Sequence, residues 1–126
     1  MKTLNNIQFN KNKVEILGEE YSLSFSDSSK DKILKTAKGY CDVYSKRIII
    51  GYIENPDYQT TTGYLNYYNS VLRHELAHAL LYESGDNYAE YNQEEMCNWL
   101  SVIAPKMMNI YEQCKIVDKK KVWYER

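Results

Sequence analysis

Long apolar runs, an excess of either charge, and most of the residues that usually carry chemistry are missing from this sequence. No segment approaches the roughly 20 consecutive apolar residues that span a bilayer, and the opening MKTLNNIQFNKNKVEI has no apolar core of signal-peptide type. A formal net charge of -1 supplies no global positive field for nucleic acid or an acidic membrane. Cys41, Cys97 and Cys114 are odd in number, widely spaced and without a CxxC pair. That excludes a disulfide framework and a cysteine-rich zinc site, and suits a reducing cytoplasm. Only Pro56 and Pro105 are proline, and there is no Pro/Gly/Ser linker, internal repeat or low-complexity tract. The absences lead to one expectation: a single domain over residues 1–126, cytoplasmic and touching no membrane. A nucleic-acid partner is not expected, the local basic residues Lys106 and Lys119-Lys120-Lys121 reading as solvated side chains.

What is present suits a globular chain. Apolar residues make up 44%, enough at 126 residues to bury one core. Thirteen tyrosines mean that a tyrosine beside any site is expected by chance alone. Val14 to Leu17 and Tyr21 to Phe25 read as strands joined by a Gly18 turn. Ser26 to Ser29 can cap a short helix through Lys38, stopped by Gly39. Tyr40 to Tyr44 and Ile48 to Ile53 read as a hairpin or neighbouring strands, and Glu54 to Gly63 as a loop. From Leu65 to Tyr82 the apolar residues Leu65, Tyr68, Leu72, Leu76, Ala79 and Leu80 recur at helical spacing, with Gly85 as the stop. A second helix is expected from Asn92 through Met108, its apolar face being Met96, Trp99, Leu100, Ile103 and Met107, with Pro105 bending or splitting it.

The two histidines of the chain both lie in His74-Glu75-Leu76-Ala77-His78. Positions four apart share a helix face, so both imidazoles can reach one ion. Glu75 projects beside them, where it can take the proton of an attacking water. This is the HExxH signature of zinc peptidases. Leu72, Leu76, Ala79 and Leu80 fall on the opposite side of the helix, a division that two ordinary surface histidines would not need.

A catalytic zinc usually takes three protein ligands. With no third histidine, the last must be a carboxylate or a cysteine, and the HExxHxxGxxH extension is excluded by Leu81 and Ser84. The second helix offers Glu94 and Glu95. Phase with Met96, Leu100 and Ile103 favours Glu95, whereas the small residues Cys97, Ser101 and Ala104 line the face that leads from Glu94. Asp86, Glu90 and a cysteine remain as further choices at this point.

The stretch Leu72 to Gly85, followed by Glu94-Glu95-Met96-Cys97-Asn98-Trp99-Leu100, resembles the ImmA/IrrE-type metallopeptidases, in particular the minimal versions carried by phages and other mobile elements. Gly39 to Asp42 and Arg47 to Ile50 resemble the strand region that precedes their active-site helix. The resemblance spans roughly residues 39 to 105. It implies an α+β, zincin-like (gluzincin-type) minimal domain, with a small twisted sheet beside the HExxH helix and a second helix carrying the third ligand. It selects Glu94 as that ligand, because the family's glutamate is followed three and four residues later by a small residue and an asparagine or aspartate, here Cys97 and Asn98.

The expected function is therefore zinc-dependent hydrolysis of a peptide bond in a specific cytosolic protein, such as a regulator of a mobile element. Zn2+ would be held by His74, His78 and Glu94, with Glu75 as general base. Tyr67, Tyr68, Tyr82, Tyr88 and Tyr91 are candidates for the donor that stabilises the oxyanion, and Ile48 to Ile53 for the sheet edge that aligns an extended substrate. The competing expectation is a metal-binding interaction module of little or no activity.

Overall fold

The computed structural model describes residue 9 and residues 11–53, 61–85 and 92–114. Among them lie strands β1 (Lys13–Ile16), β2 (Glu19–Ser26), β3 (Gly39–Asp42) and β4 (Arg47–Gly51), then helices α1 (Thr61–Glu83) and α2 (Gln93–Gln113). The class is α+β: one four-stranded mixed sheet in the order β1-β2-β4-β3, with the helices following it in sequence.

The β1–β2 hairpin turns on two residues, Leu17 and Gly18, with φ of 49° and 91°. Both are left-handed, as a two-residue turn matched to strand twist requires, and glycine meets the second at no steric cost. β2 then runs parallel to β4, pairing Leu23 with Ile48 and Phe25 with Ile50, while β3 pairs antiparallel with β4 as the expected hairpin. The expected helix from Ser26 to Lys38 is reduced to a 3-10 helix at Lys32–Lys35. Asp27 explains the loss: its Oδ1 accepts from the amides of Ser29 and Lys30 at 3.0 and 3.2 Å, a local turn that competes with helix.

One expectation is overturned by the strand order. Ile48 to Ile53 is not a free edge, since β4 ends at Gly51 and lies between β2 and β3. Three consecutive isoleucines, all buried, need both faces and both sides of the strand covered. Among the described residues, β1 and β3 are the two strands that pair on one side only, and β3 is the one beside β4.

α1 starts earlier than its leucine pattern suggested, at Thr61, and stops where Gly85 takes a φ of 84°. Its sheet-facing stripe is Tyr64, Tyr68, Val71, Glu75 and Ala79, all buried. That stripe is rotated from the predicted one. Leu76 and Leu80 instead line a separate apolar groove with Ile16, Leu17 and Leu100, and Leu80 is exposed. Tyr68 packs edge-on against Phe25, its hydroxyl accepting the Ile53 amide at 3.1 Å. The helix thus has two covered sides, the sheet on one and α2 on the other, which a single-stripe reading cannot separate.

α2 is capped by Asn92, whose side chain accepts from the Glu95 amide, and continues through Pro105 to Gln113. Its buried positions are Cys97 and Ser101, while Trp99, expected inside, is exposed. Small residues at the contact let the two helix backbones approach closely. At the far end of α1, the Glu83 carboxylate accepts from the buried Tyr21 hydroxyl at 2.6 Å and from the Lys46 ammonium. These two donors hold the Glu83 carboxyl below its ordinary range and tie the end of α1 to the sheet.

Gly39 is where β3 passes α1. A Cβ there would stand 3.0 Å from both the Ile49 carbonyl oxygen and the Val71 side chain. Backbone cannot give way cheaply, so Gly39→Ala is expected to cost about 1–3 kcal/mol of stability by overpacking. Denaturant unfolding checks this, and an unchanged midpoint would show that β3 is free to move off the helix.

Candidate metal centre

His74 and His78 lie on the ridge of α1 between its sheet-facing stripe and its α2-facing side, one turn apart. Their Nε2 atoms face each other at 3.2 Å. The first turn of α2 brings in Glu94, whose carboxylate oxygens stand 3.2 Å from His74 Nε2 and 2.7 Å from His78 Nε2. These three residues are the one group of possible metal ligands found among the described residues. Glu95 is one position on and exposed, and is not part of that group. Asp86 and Glu90 fall outside the described residues. Cys97 is fully buried. Burial, with the Glu94 and Glu75 carboxylates nearby, pushes its thiol up to about 11, which suits a packing residue rather than a thiolate ligand.

The donor chemistry fits a cation. Two ligands at about 2.0–2.1 Å from a tetrahedral zinc are about 3.3 Å apart, close to the observed 3.2 Å between the imidazole nitrogens. His78 Nδ1, its second ring nitrogen, lies 3.0 Å from Gln93 Oε1, a contact that suits the tautomer with the proton on Nδ1. In the neutral ring, Nε2 then carries only a lone pair, and that lone pair faces a carboxylate oxygen. Two acceptors at 2.7 Å repel each other unless a positive charge lies between them. Gln93 thus does for His78 what the outer partners of metal-bound histidines do, orienting the ring and its lone pair. Sequence reasoning missed it, because nothing in the spacing of a helix-start glutamine marks it as a histidine partner.

Glu75 is buried on the sheet-facing stripe, 7% exposed, and it is not one of the three clustered ligands. Burial raises its pKa, opposed by the two histidines and reinforced by Glu94. A carboxyl whose charged form is disfavoured by desolvation is a better proton acceptor than an exposed one. Cys41, on β3, is raised to about 12, chiefly by burial with Glu75 next, so the wall beside the site carries a neutral thiol.

Two adjoining clefts, about 550 and 570 Å³ in volume, share His74, Glu75 and Glu94 and both include Gly39. One continues along Tyr40, Cys41 and Tyr44 to Tyr82. The other continues past Lys38 and Tyr67 to Ser101. Of the tyrosines considered as donors, Tyr82 and Tyr67 therefore line the clefts, one on each side. Tyr68 does not, its hydroxyl being held in the core by Ile53, and Tyr88 and Tyr91 fall outside the described residues. Lys106 is exposed on α2, and the Lys119 to Lys121 tract lies outside the described residues.

No helix of the described residues is long and apolar enough to cross a membrane. Comparison with family models, curated proteins and solved structures finds no match to this chain.

Proposed function

We propose that the chain is a zinc-dependent endopeptidase of zincin-like, gluzincin type, akin to the ImmA/IrrE-type enzymes. Its substrate is a peptide bond in a specific cytosolic protein, a regulator of a mobile element being the class to which the resemblance points. The reading rests on one observation above the others: two imidazole nitrogens and the Glu94 carboxylate converge, with buried Glu75 beside them in the same clefts.

Zinc held by His74, His78 and Glu94 would supply a Lewis acid that polarises the scissile carbonyl and makes water nucleophilic near neutral pH. Glu75 accepts the proton of the attacking water and returns it to the leaving amine, so it acts first as base and then as acid. Tyr67 and Tyr82, on opposite sides, are the candidates for the hydroxyl donor to the oxyanion. β3 offers the unpaired side of its backbone as the template for an extended peptide. The clefts extend to both sides of the cluster, which suits a chain running through the site rather than a small ligand ending in it. That favours cleavage within a polypeptide.

The first test is metal content by mass spectrometry on tag-free protein, beside a His74→Ala/His78→Ala control prepared identically. About one zinc per chain is expected, lost in the control. No zinc in the parent, even after zinc is offered and the excess removed, overturns the reading.

A further inference from the structure

The proline in α2 leaves a mark that α1 answers. A residue at position i in a helix gives its carbonyl to the amide of residue i+4, so Ser101 should accept from residue 105. That residue is proline, which has no amide hydrogen. The Ser101 carbonyl nevertheless has a partner: Arg73 Nε donates to it at 2.7 Å, from the neighbouring helix. Ser101 is itself buried, its hydroxyl donating to the Asn98 carbonyl at 2.8 Å, so solvent is poorly placed to take over. A guanidinium bound to a helix carbonyl is a charge-assisted hydrogen bond, stronger than the amide bond that proline removed.

The position of this bond matters for the site. Arg73 immediately precedes His74 on α1, and Ser101 lies two turns after Glu94 on α2. We infer that Arg73 is a positioning residue for the metal centre: by occupying the carbonyl freed by Pro105, it fixes the placement of α2 on α1 and so brings Glu94 to His74 and His78. The proline frees a carbonyl inside α2, and a side chain from α1 fills it. The metal consequence rests on the metallopeptidase reading, whereas the helix docking does not.

A double-mutant cycle tests the inference. Arg73→Met keeps an apolar stem and removes the donor. Pro105→Ala restores the amide hydrogen, so that Ser101 can close its own helical bond. Arg73→Met alone is expected to lower the melting temperature of the metal-free protein by about 5 °C. It should also weaken zinc binding by about tenfold, as loss of an outer partner does. It should shift the ring nitrogen NMR signals of His74 and His78, which are unambiguous because the chain has no other histidine. In the Pro105→Ala background the same substitution should cost at most about 2 °C and about twofold in affinity, with the ring signals returning toward the parent's. If Arg73→Met fails to fold alone, recovery of folded protein in the double variant carries the same meaning. Equal losses in both backgrounds, or histidine signals untouched by Arg73→Met, would overturn the inference. A parent that binds no zinc sinks the metallopeptidase reading only, because melting temperature and ring signals still decide this one.

Discussion

Replacing Glu75 by glutamine is expected to lower the turnover of a cognate protein substrate by about 10³-fold, within the 10²- to 10⁴-fold range of general acid–base catalysis, and to leave zinc content at the parent level. The two halves of this result come from different parts of the site. Glutamine fills nearly the volume of glutamate, so the buried sheet-facing position remains packed. Its amide has no basic oxygen, however, and cannot take a proton from water. The cluster of His74, His78 and Glu94 does not include Glu75, so metal retention is the expected companion of lost turnover. Folding should not suffer either: a carboxylate whose charged form is penalised by burial is exchanged for a neutral group. Single-turnover assays with metal quantified on the same sample read both halves. The contrasting function, a metal-dependent interaction module, makes the opposite forecast. It predicts that Glu75→Gln preserves the protein's effect on its partner, and preserved effect with preserved metal would remove the peptidase reading.

The grouping of the candidate ligands was more legible in the sequence than the packing around it. His74, Glu75 and His78 could be read together because a helix places residues four apart on one face whatever surrounds it. Glu94 was harder to distinguish from Glu95, since the large apolar residues of α2 suggest one phase and the small residues another. The small residues were the better guide: Cys97 and Ser101 are the buried positions, and Trp99 faces outward. The sheet-facing stripe of α1 was misread for a related reason. Three of its five positions hold tyrosine or glutamate, residues that a hydrophobicity pattern discounts, while the leucines serve a second, groove-lining side. The interior place of β4 follows from a parallel pairing with β2 that no local signal encodes, so the sequence points to β4 as the sheet edge beside the site where the preceding strand, β3, forms it. The partners of Gln93 and Arg73 were hidden entirely. That Pro105 orphans a carbonyl can be deduced from sequence once a helix is assumed, but which side chain answers it depends on how two helices dock.

The choice between Glu94 and Glu95 yields the second large effect. Glu94→Ala is expected to weaken zinc binding by more than a hundredfold, and Glu95→Ala by no more than a few-fold. The size follows from the scale of zinc sites: about 10–16 kcal/mol of apparent binding spread over four ligands is roughly 3 kcal/mol each, and 1.4 kcal/mol corresponds to a factor of ten. The asymmetry follows from geometry. Glu94 meets both imidazoles, at 3.2 and 2.7 Å, whereas Glu95 is outside the cluster, its amide held by the Asn92 cap. Both glutamates sit in the first turn of α2, so each alanine removes the same favourable interaction with the helix dipole, and the comparison cancels that contribution. Competition against a chelator of known affinity measures the difference directly. If Glu95→Ala proves the costlier change, the first turn of α2 must rotate by one residue when the metal enters. Cys97 and Ser101 would then leave the contact with α1, and a shift of that size would be seen in the same experiment as a change in protection of the α2 amides on zinc binding. Equal small losses for both would instead mean that the two histidines hold the ion without α2, and the proposed three-residue centre would not stand.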